Sequence, residues 1–241
     1  MQTQHTVDLP RGRSLTAALA LPTGTAPEGG WPGVLVVHEA PTLTQPILDV
    51  ADVFAARGWA AVVPNLLSSG GAKLGCLVRN MREVRSGRAG EVTDDLRAVL
   101  TWLGAREDVD GSRTASIGFC MGGAFALLLG SLGPEGLRAV SDNYGFVPPE
   151  TTDLTRCPPV VGSFGADDKL IKDGAALLTA RLEKAGVTHD VKAYPGAQHS
   201  FLTEDAKLFG VVTFPGTAYV ADAAEPAWER IFGFLDEHVR A

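Results

Sequence analysis

The tightest constraint on this chain is local: Gly118-Phe119-Cys120-Met121-Gly122-Gly123, lodged between two apolar runs. Thr114-Ala115-Ser116-Ile117 precedes it, introduced by Asp108-Val109-Asp110-Gly111-Ser112, and Ala124-Phe125-Ala126-Leu127-Leu128-Leu129 follows. A strand that turns directly into a helix needs residues without bulk two positions either side of the turn, because the backbones pass closely there. Gly118 and Gly122 meet that need and leave Cys120 at the apex. A thiol there faces a helix N-terminus, whose free N–H groups and positive dipole end favour the thiolate. Two plainer readings compete. Cys120 could be a small buried hydrophobe in a glycine-rich turn, or the uncharged stretch from Thr114 to Pro134 could span a membrane. Five glycines in that stretch, two of them adjacent, weaken such a helix.

The flanks repeat a strand–helix rhythm. Val34–Val37 and Ala60–Val63 are continuous apolar runs, as in strands covered on both faces. Leu15–Leu21, a stretch beginning at Ala139-Val140, Pro159–Phe164 and Val187–Tyr194 add further strands. Helical spacing marks Ile47–Arg57, Thr93–Leu103 (with Thr93 or Asp94 as cap), Ala175–Ala185 and Pro226–Val239. In the third of these, Leu177, Leu178 and Leu182 are expected to face inward. Asn65 to Gly90 reads as irregular. The expected fold class is α/β, a mostly parallel central sheet with helices on both faces, no large cap, and one domain over residues 1–241.

A chain that is 45% hydrophobic and 20% charged can bury an ordinary globular core, and its net charge of −7 argues against general nucleic-acid binding. Cys76, Cys120 and Cys157 form no metal-spaced set and no disulfide framework. Met1-Gln2-Thr3-Gln4-His5 lacks a basic region followed by an apolar one, so no signal peptide and a cytoplasmic location are expected, without a membrane partner.

In parallel α/β sheets chemistry gathers beyond the carboxyl ends of the strands. Two other strand ends place reactive groups there: Phe164-Gly165-Ala166-Asp167-Asp168 and Pro195-Gly196-Ala197-Gln198-His199-Ser200-Phe201. The chain order is thiol, carboxylate, imidazole, as in hydrolase triads of this architecture. His199 would manage the thiol and leaving-group protons, and an aspartate would hold its other ring nitrogen. Asp167 and Asp168 share one turn, and the residue pattern does not choose between them. His5, His189 and His238 read as surface residues.

These motifs, together with Val36-Val37-His38-Glu39, Tyr194-Pro195 and Tyr219-Val220-Ala221-Asp222-Ala223-Ala224 before Trp228, resemble the dienelactone hydrolase family from about Leu15 to Val239. The resemblance implies an α/β-hydrolase fold, no metal or organic cofactor, and hydrolysis of lactones or esters through a thioester. It implies Cys120 as nucleophile, His199 as base, Asp168 rather than Asp167 as its partner, and the amides of Ala40 and Met121 as oxyanion hole. It also implies that Glu39 lies near the nucleophile. Dienelactone-cleaving members carry an arginine shortly after the histidine; Leu202 and Thr203 stand there instead, which points away from dienelactone itself.

A small ester or lactone, including an anionic one, is therefore the expected substrate, with a broad-range carboxylesterase or thioesterase, or a non-catalytic binding protein on the same fold, as the alternatives; oligomeric state stays open. Arg79, Arg82, Arg85 and Arg88 recur every three residues in a locally basic segment. Their ordinary reading is a solvated face. Their functional one is that Arg79 or Arg82 grips a substrate carboxylate bidentately. Glu39 ends a fully apolar strand, where a carboxylate is rarely placed without a partner. Beside a thiol it would disfavour thiolate formation or share the proton, poising Cys120 until substrate arrives.

Overall fold

The computed structural model describes residues 2–70, 73–203, 207–208, 212–213 and 218–241. Its centre is an eight-stranded sheet: β1 (Gln2–Leu9), β2 (Arg13–Ala20), β3 (Trp31–Val37), β4 (Ala60–Pro64), β5 (Val109–Phe119), β6 (Leu137–Asn143), β7 (Val160–Gly165) and β8 (His189–Tyr194). The spatial order is β1-β2-β4-β3-β5-β6-β7-β8. β1–β2 and β2–β4 pair antiparallel, and every other pair is parallel. The apolar runs at Val34–Val37 and Ala60–Val63 lie fully buried beside each other near the middle, as continuous hydrophobicity requires.

Helices cover both faces. α1 (Gln45–Ala56) and α6 (Ala221–Leu235) bury Ile47, Phe54, Ile231 and Leu235 in one apolar layer. α2 (Lys73–Ser86), α3 (Glu91–Gly104), α4 (Met121–Ser131) and α5 (Gly174–Ala185) lie in chain order between the strands, and the buried residues of α3, α4 and α5 fill the layer on the other face. α4 is apolar all round and buried over ten consecutive residues; it is a core helix with the sheet behind it. No helix among the described residues is long and apolar enough to cross a membrane.

The sequence reading departs from the structure at several elements. The segment expected to be irregular contains α2. Its pattern is hidden because its inward face carries Asn80 and Glu83 beside Cys76 and Val84, while Leu74 and Val78 stand exposed. The polar pair explains the inversion in part: Glu83 accepts the amides of Gly90, Val92 and Thr93, each at 2.9 Å, and the Thr93 hydroxyl. That carboxylate satisfies the free donors of the α3 N-terminus, so neither Thr93 nor Asp94 caps the helix. In α5 the inward register is Gly174, Leu178 and Leu182, leaving Leu177 exposed. α6 begins at Ala221, ahead of Pro226. β1, for which the N-terminus offered no long apolar run, is an edge strand anchored by Val7 and Leu9.

Candidate active site

β5 runs into α4 through Cys120, whose φ of 52° and ψ of −117° are strained for a residue with a side chain. Closeness enforces the flanking glycines. A Cβ on Gly118 would fall on the Gly122 carbonyl, and one on Gly122 would fall on the carbonyl of Val37 in β3. The Cys120 amide donates to Asn143 O at 3.0 Å, and the Asn143 side chain donates to Gly118 O at 3.1 Å. The end of β6 thus holds the turn from below. Cys120 is half-buried at the first turn of α4.

The two remaining strand ends converge as the chain order anticipates. Asp168, after β7, is buried, whereas Asp167 is exposed. Asp168 Oδ1 accepts the amides of Leu170 and Ile171, and Oδ2 lies 2.7 Å from His199 Nδ1. Burial works against ionisation of Asp168, but the bond to His199 and the two amides prevail and hold its carboxyl below the usual aspartate value. Burial likewise disfavours the imidazolium of His199, yet Asp168 and the neighbouring Cys120 outweigh it and push the ring up to about 10. Its Nε2 has no bonding partner within hydrogen-bond geometry among the described residues, although Cys120 is near enough to raise its basicity.

Glu39 follows β3 and is buried; its Oε2 accepts from Ser200 Oγ at 3.1 Å, directly after His199 in the chain. Desolvation raises its pKa, opposed by the Ser200 bond and the charge of His199. The backbone of Ala40 is next in line. Met121 opens α4, where an amide has no partner within the helix. Among the described residues neither amide is donated to another backbone carbonyl.

The two arginines stand apart from this cluster. Arg79 Nη1 lies 2.7 Å from Glu91 and its Nη2 donates to Ser69, while Arg82 is exposed on α2. No hydrogen bond or ion pair joins either to Cys120, Asp168 or His199 among the described residues. No group of three or more His, Cys, Asp or Glu side chains among them is placed to hold a metal ion.

Sequence reasoning passed over Tyr144 and Asp142. Tyr144, beyond β6 at φ 45°, is fully buried with its ring 5.1 Å from that of His199. Burial first, then the charge of Glu39, raises its phenol well above the ordinary value, with Cys120 and Asp168 adding to the effect. Asp142 packs against Gly123 and Gly145, where a Cβ on either would strike its Oδ1. Oδ1 accepts the Gly145 amide at 3.0 Å, and burial pushes its carboxyl up to about 7. Ser141-Asp142-Asn143-Tyr144 matches no motif, so only packing reveals either residue.

A mostly parallel sheet with a strained, glycine-flanked cysteine turn between its central strand and a buried helix defines an α/β-hydrolase. The model of the dienelactone hydrolase family matches residues 15–239, and the chain belongs to that family. It is 28% identical to the "Putative carboxymethylenebutenolidase" of Yersinia pestis, over 95% of this chain and 85% of that one. Among solved structures, a dienelactone hydrolase-like promiscuous phosphotriesterase from metagenomic libraries is 28% identical with a TM-score of 0.83, covering 98% of each chain. The structure of a "Putative Dienelactone Hydrolase" from Klebsiella pneumoniae matches at 25% identity and a TM-score of 0.78, over 99% of this chain and 100% of that one. The protein is accordingly a hydrolase of the dienelactone hydrolase type.

Proposed function

We propose that this chain hydrolyses a small carboxylic ester or lactone, with Cys120 as nucleophile, His199 as acid and base, and Asp168 as the group that orients the ring. One observation carries the reading: His199 is fixed through Nδ1 on Asp168 while its Nε2 stays unpartnered beside the strained Cys120. Cys120 Sγ attacks the carbonyl carbon and the carbonyl electron pair moves to oxygen. The amides of Ala40 and Met121 are the donors for that oxyanion. The oxyanion collapses, the C–O bond breaks, and Nε2–H of His199 protonates the departing oxygen, leaving a thioester and a neutral ring. Water attacks the thioester and gives its proton to Nε2. The C–S bond breaks, which restores thiolate and imidazolium and releases the acid.

Glu39 is the poising group in this reading. Buried and hydrogen-bonded to Ser200, it resists ionisation, and a proton it holds or gives up changes the charge beside the nucleophile. An anionic substrate would draw on Arg79 or Arg82, and Arg79 could serve only by leaving Glu91. Because a solved relative is described as a promiscuous phosphotriesterase, a neutral phosphotriester belongs in the substrate panel.

Mass spectrometry after mixing with an activated aryl ester tests the chemistry. The expected result is an acyl adduct on Cys120 and none on Cys76 or Cys157, with turnover abolished in Cys120→Ala and nearly so in Cys120→Ser. An unmodified Cys120 in a protein that cleaves no ester leaves a binding protein on a hydrolase fold, and full activity in Cys120→Ala refutes Cys120 as the nucleophile.

A further inference from the structure

One residue of the Val36-Val37-His38-Glu39 run has no part in the triad chemistry. His38 follows β3 directly and has no exposed surface, yet both of its ring nitrogens are engaged. Nδ1 lies 2.6 Å from Glu39 O, and Nε2 lies 3.1 Å from the Leu66 amide. A backbone N–H can only donate, so Nε2 is the acceptor there. The ring proton therefore sits on Nδ1 and is donated to the Glu39 carbonyl. Burial drives the ring pKa down to about 4, so the imidazole stays neutral and this tautomer holds through the neutral range.

The loop that meets the ring is itself held in place. Leu66 follows β4 in a segment tied to β2: the Asn65 amide donates to Thr16 O at 2.8 Å. Ser68 Oγ donates to Asn65 O at 2.7 Å and accepts the Thr16 amide at 2.9 Å. The end of β3 is also pressed against α4, where a Cβ on Gly122 would strike the carbonyls of both Val37 and His38.

The bond to Glu39 O acts through a shared peptide. Glu39 C=O and Ala40 N–H belong to one planar trans unit, in which the two groups point in opposite directions. Holding the carbonyl on His38 turns the Ala40 N–H away from the imidazole and fixes its direction. That amide donates to no backbone carbonyl among the described residues. A hydrogen bond accepted at the carbonyl also polarises the peptide and strengthens its N–H as a donor.

We infer that His38 is a positioning residue for the oxyanion hole: its Nδ1–H grips the Glu39 carbonyl and so aims the Ala40 amide at the oxygen that becomes negative when Cys120 attacks a carbonyl. The inference rests on the proposed hydrolase reading for the role of the Ala40 amide. It separates two reactions of one thiol. Attack on an ester builds an oxyanion and draws on His38, whereas displacement of iodide from iodoacetamide builds none.

Both reactions are measured on the full-length protein. Stopped-flow release of 4-nitrophenolate from 4-nitrophenyl acetate gives the acylation rate, and iodoacetamide alkylation of Cys120 gives the reactivity of the thiol itself. His38→Leu removes the donor, and His38→Asn restores one, since its amide nitrogen stands near the place of Nδ1. Losing an oxyanion donor outright costs about 10²–10³ in rate, so His38→Leu, which only misdirects one, should acylate at least roughly tenfold slower at saturating ester. Half-saturation by the ester and the alkylation rate should stay within about twofold of wild type, and His38→Asn should recover acylation to within about threefold. Acylation by His38→Leu at the wild-type rate overturns the inference, as does His38→Asn no faster than His38→Leu. Equal slowing of acylation and alkylation assigns His38 to packing alone and overturns it as well. His38→Met, whose flexible chain fills the same space without a donor, takes the place of a leucine variant that does not fold. A wild type that iodoacetamide labels and the ester does not acylate sinks the hydrolase reading and this inference with it; the other failures leave that reading standing.

Discussion

Replacing Asp142 with asparagine isolates the energetic cost of a carboxyl group buried behind the Cys120 turn. Asp142 is fully buried, its Oδ1 is held by the Gly145 amide, and its Oδ2 has no bonding partner among the described residues. Burial raises its pKa from 3.8 to about 7, opposed only in part by that amide. Between those values the native state keeps a proton that the unfolded chain has lost, so the folded state binds more protons and its stability falls as pH rises. The loss begins near the unfolded value and is complete above the folded one. A shift of this size corresponds to about 4 kcal/mol at 1.36 kcal/mol per unit. Asparagine copies the neutral acid in shape and keeps the oxygen that accepts from Gly145. Any fixed cost of its amide is the same at every pH, and the other ionisations cancel between the two proteins. Urea unfolding of wild type and Asp142→Asn at intervals from pH 4 to pH 8 therefore reads the carboxyl alone. The variant should gain about 4 kcal/mol on the wild type across that range, nearly all of it by pH 7 to 8. A stability difference that stays flat with pH would show that Asp142 ionises in the fold as it does in water, and the account of burial at this position would be wrong.

Three further perturbations probe the site and its support. Glu39→Gln should speed iodoacetamide alkylation of Cys120 near neutral pH and reduce turnover; an alkylation profile identical to wild type removes Glu39 from the mechanism. Gly122→Ala should cost about 3 kcal/mol or abolish folding, because the added carbon meets the Val37 carbonyl rather than a flexible side chain; a wild-type melting curve contradicts the close approach of β3 and α4. Glu83→Ala frees three amides at the start of α3 and should cost about 2 kcal/mol in urea unfolding, with an unchanged denaturant slope. A loss under 0.5 kcal/mol would mean that water replaces the carboxylate at no expense.

The residues alone determined the elements whose cause is local. Gly118 and Gly122 around Cys120 specify a strand–turn–helix because no other residue fits the approach, and the buried runs at Val34 and Ala60 specify central parallel strands because they have no polar face to show to water. The three strand ends bearing Cys120, Asp168 and His199 were legible for the same reason, since each follows a strand that must end on one edge of the sheet. What depends on partners distant in sequence was not legible. α2 was hidden because Asn80 and Glu83 face inward and Leu74 and Val78 face out, a pattern that makes sense only once Glu83 is seen to cap α3. The residue pattern could not separate Asp167 from Asp168, for the choice rests on which side chain the turn directs inward, and the fold buries Asp168 on His199. The raised pKa values of Asp142 and Tyr144 arise first from desolvation, which no single stretch of sequence encodes: it is fixed by how completely other segments of the chain close over a residue.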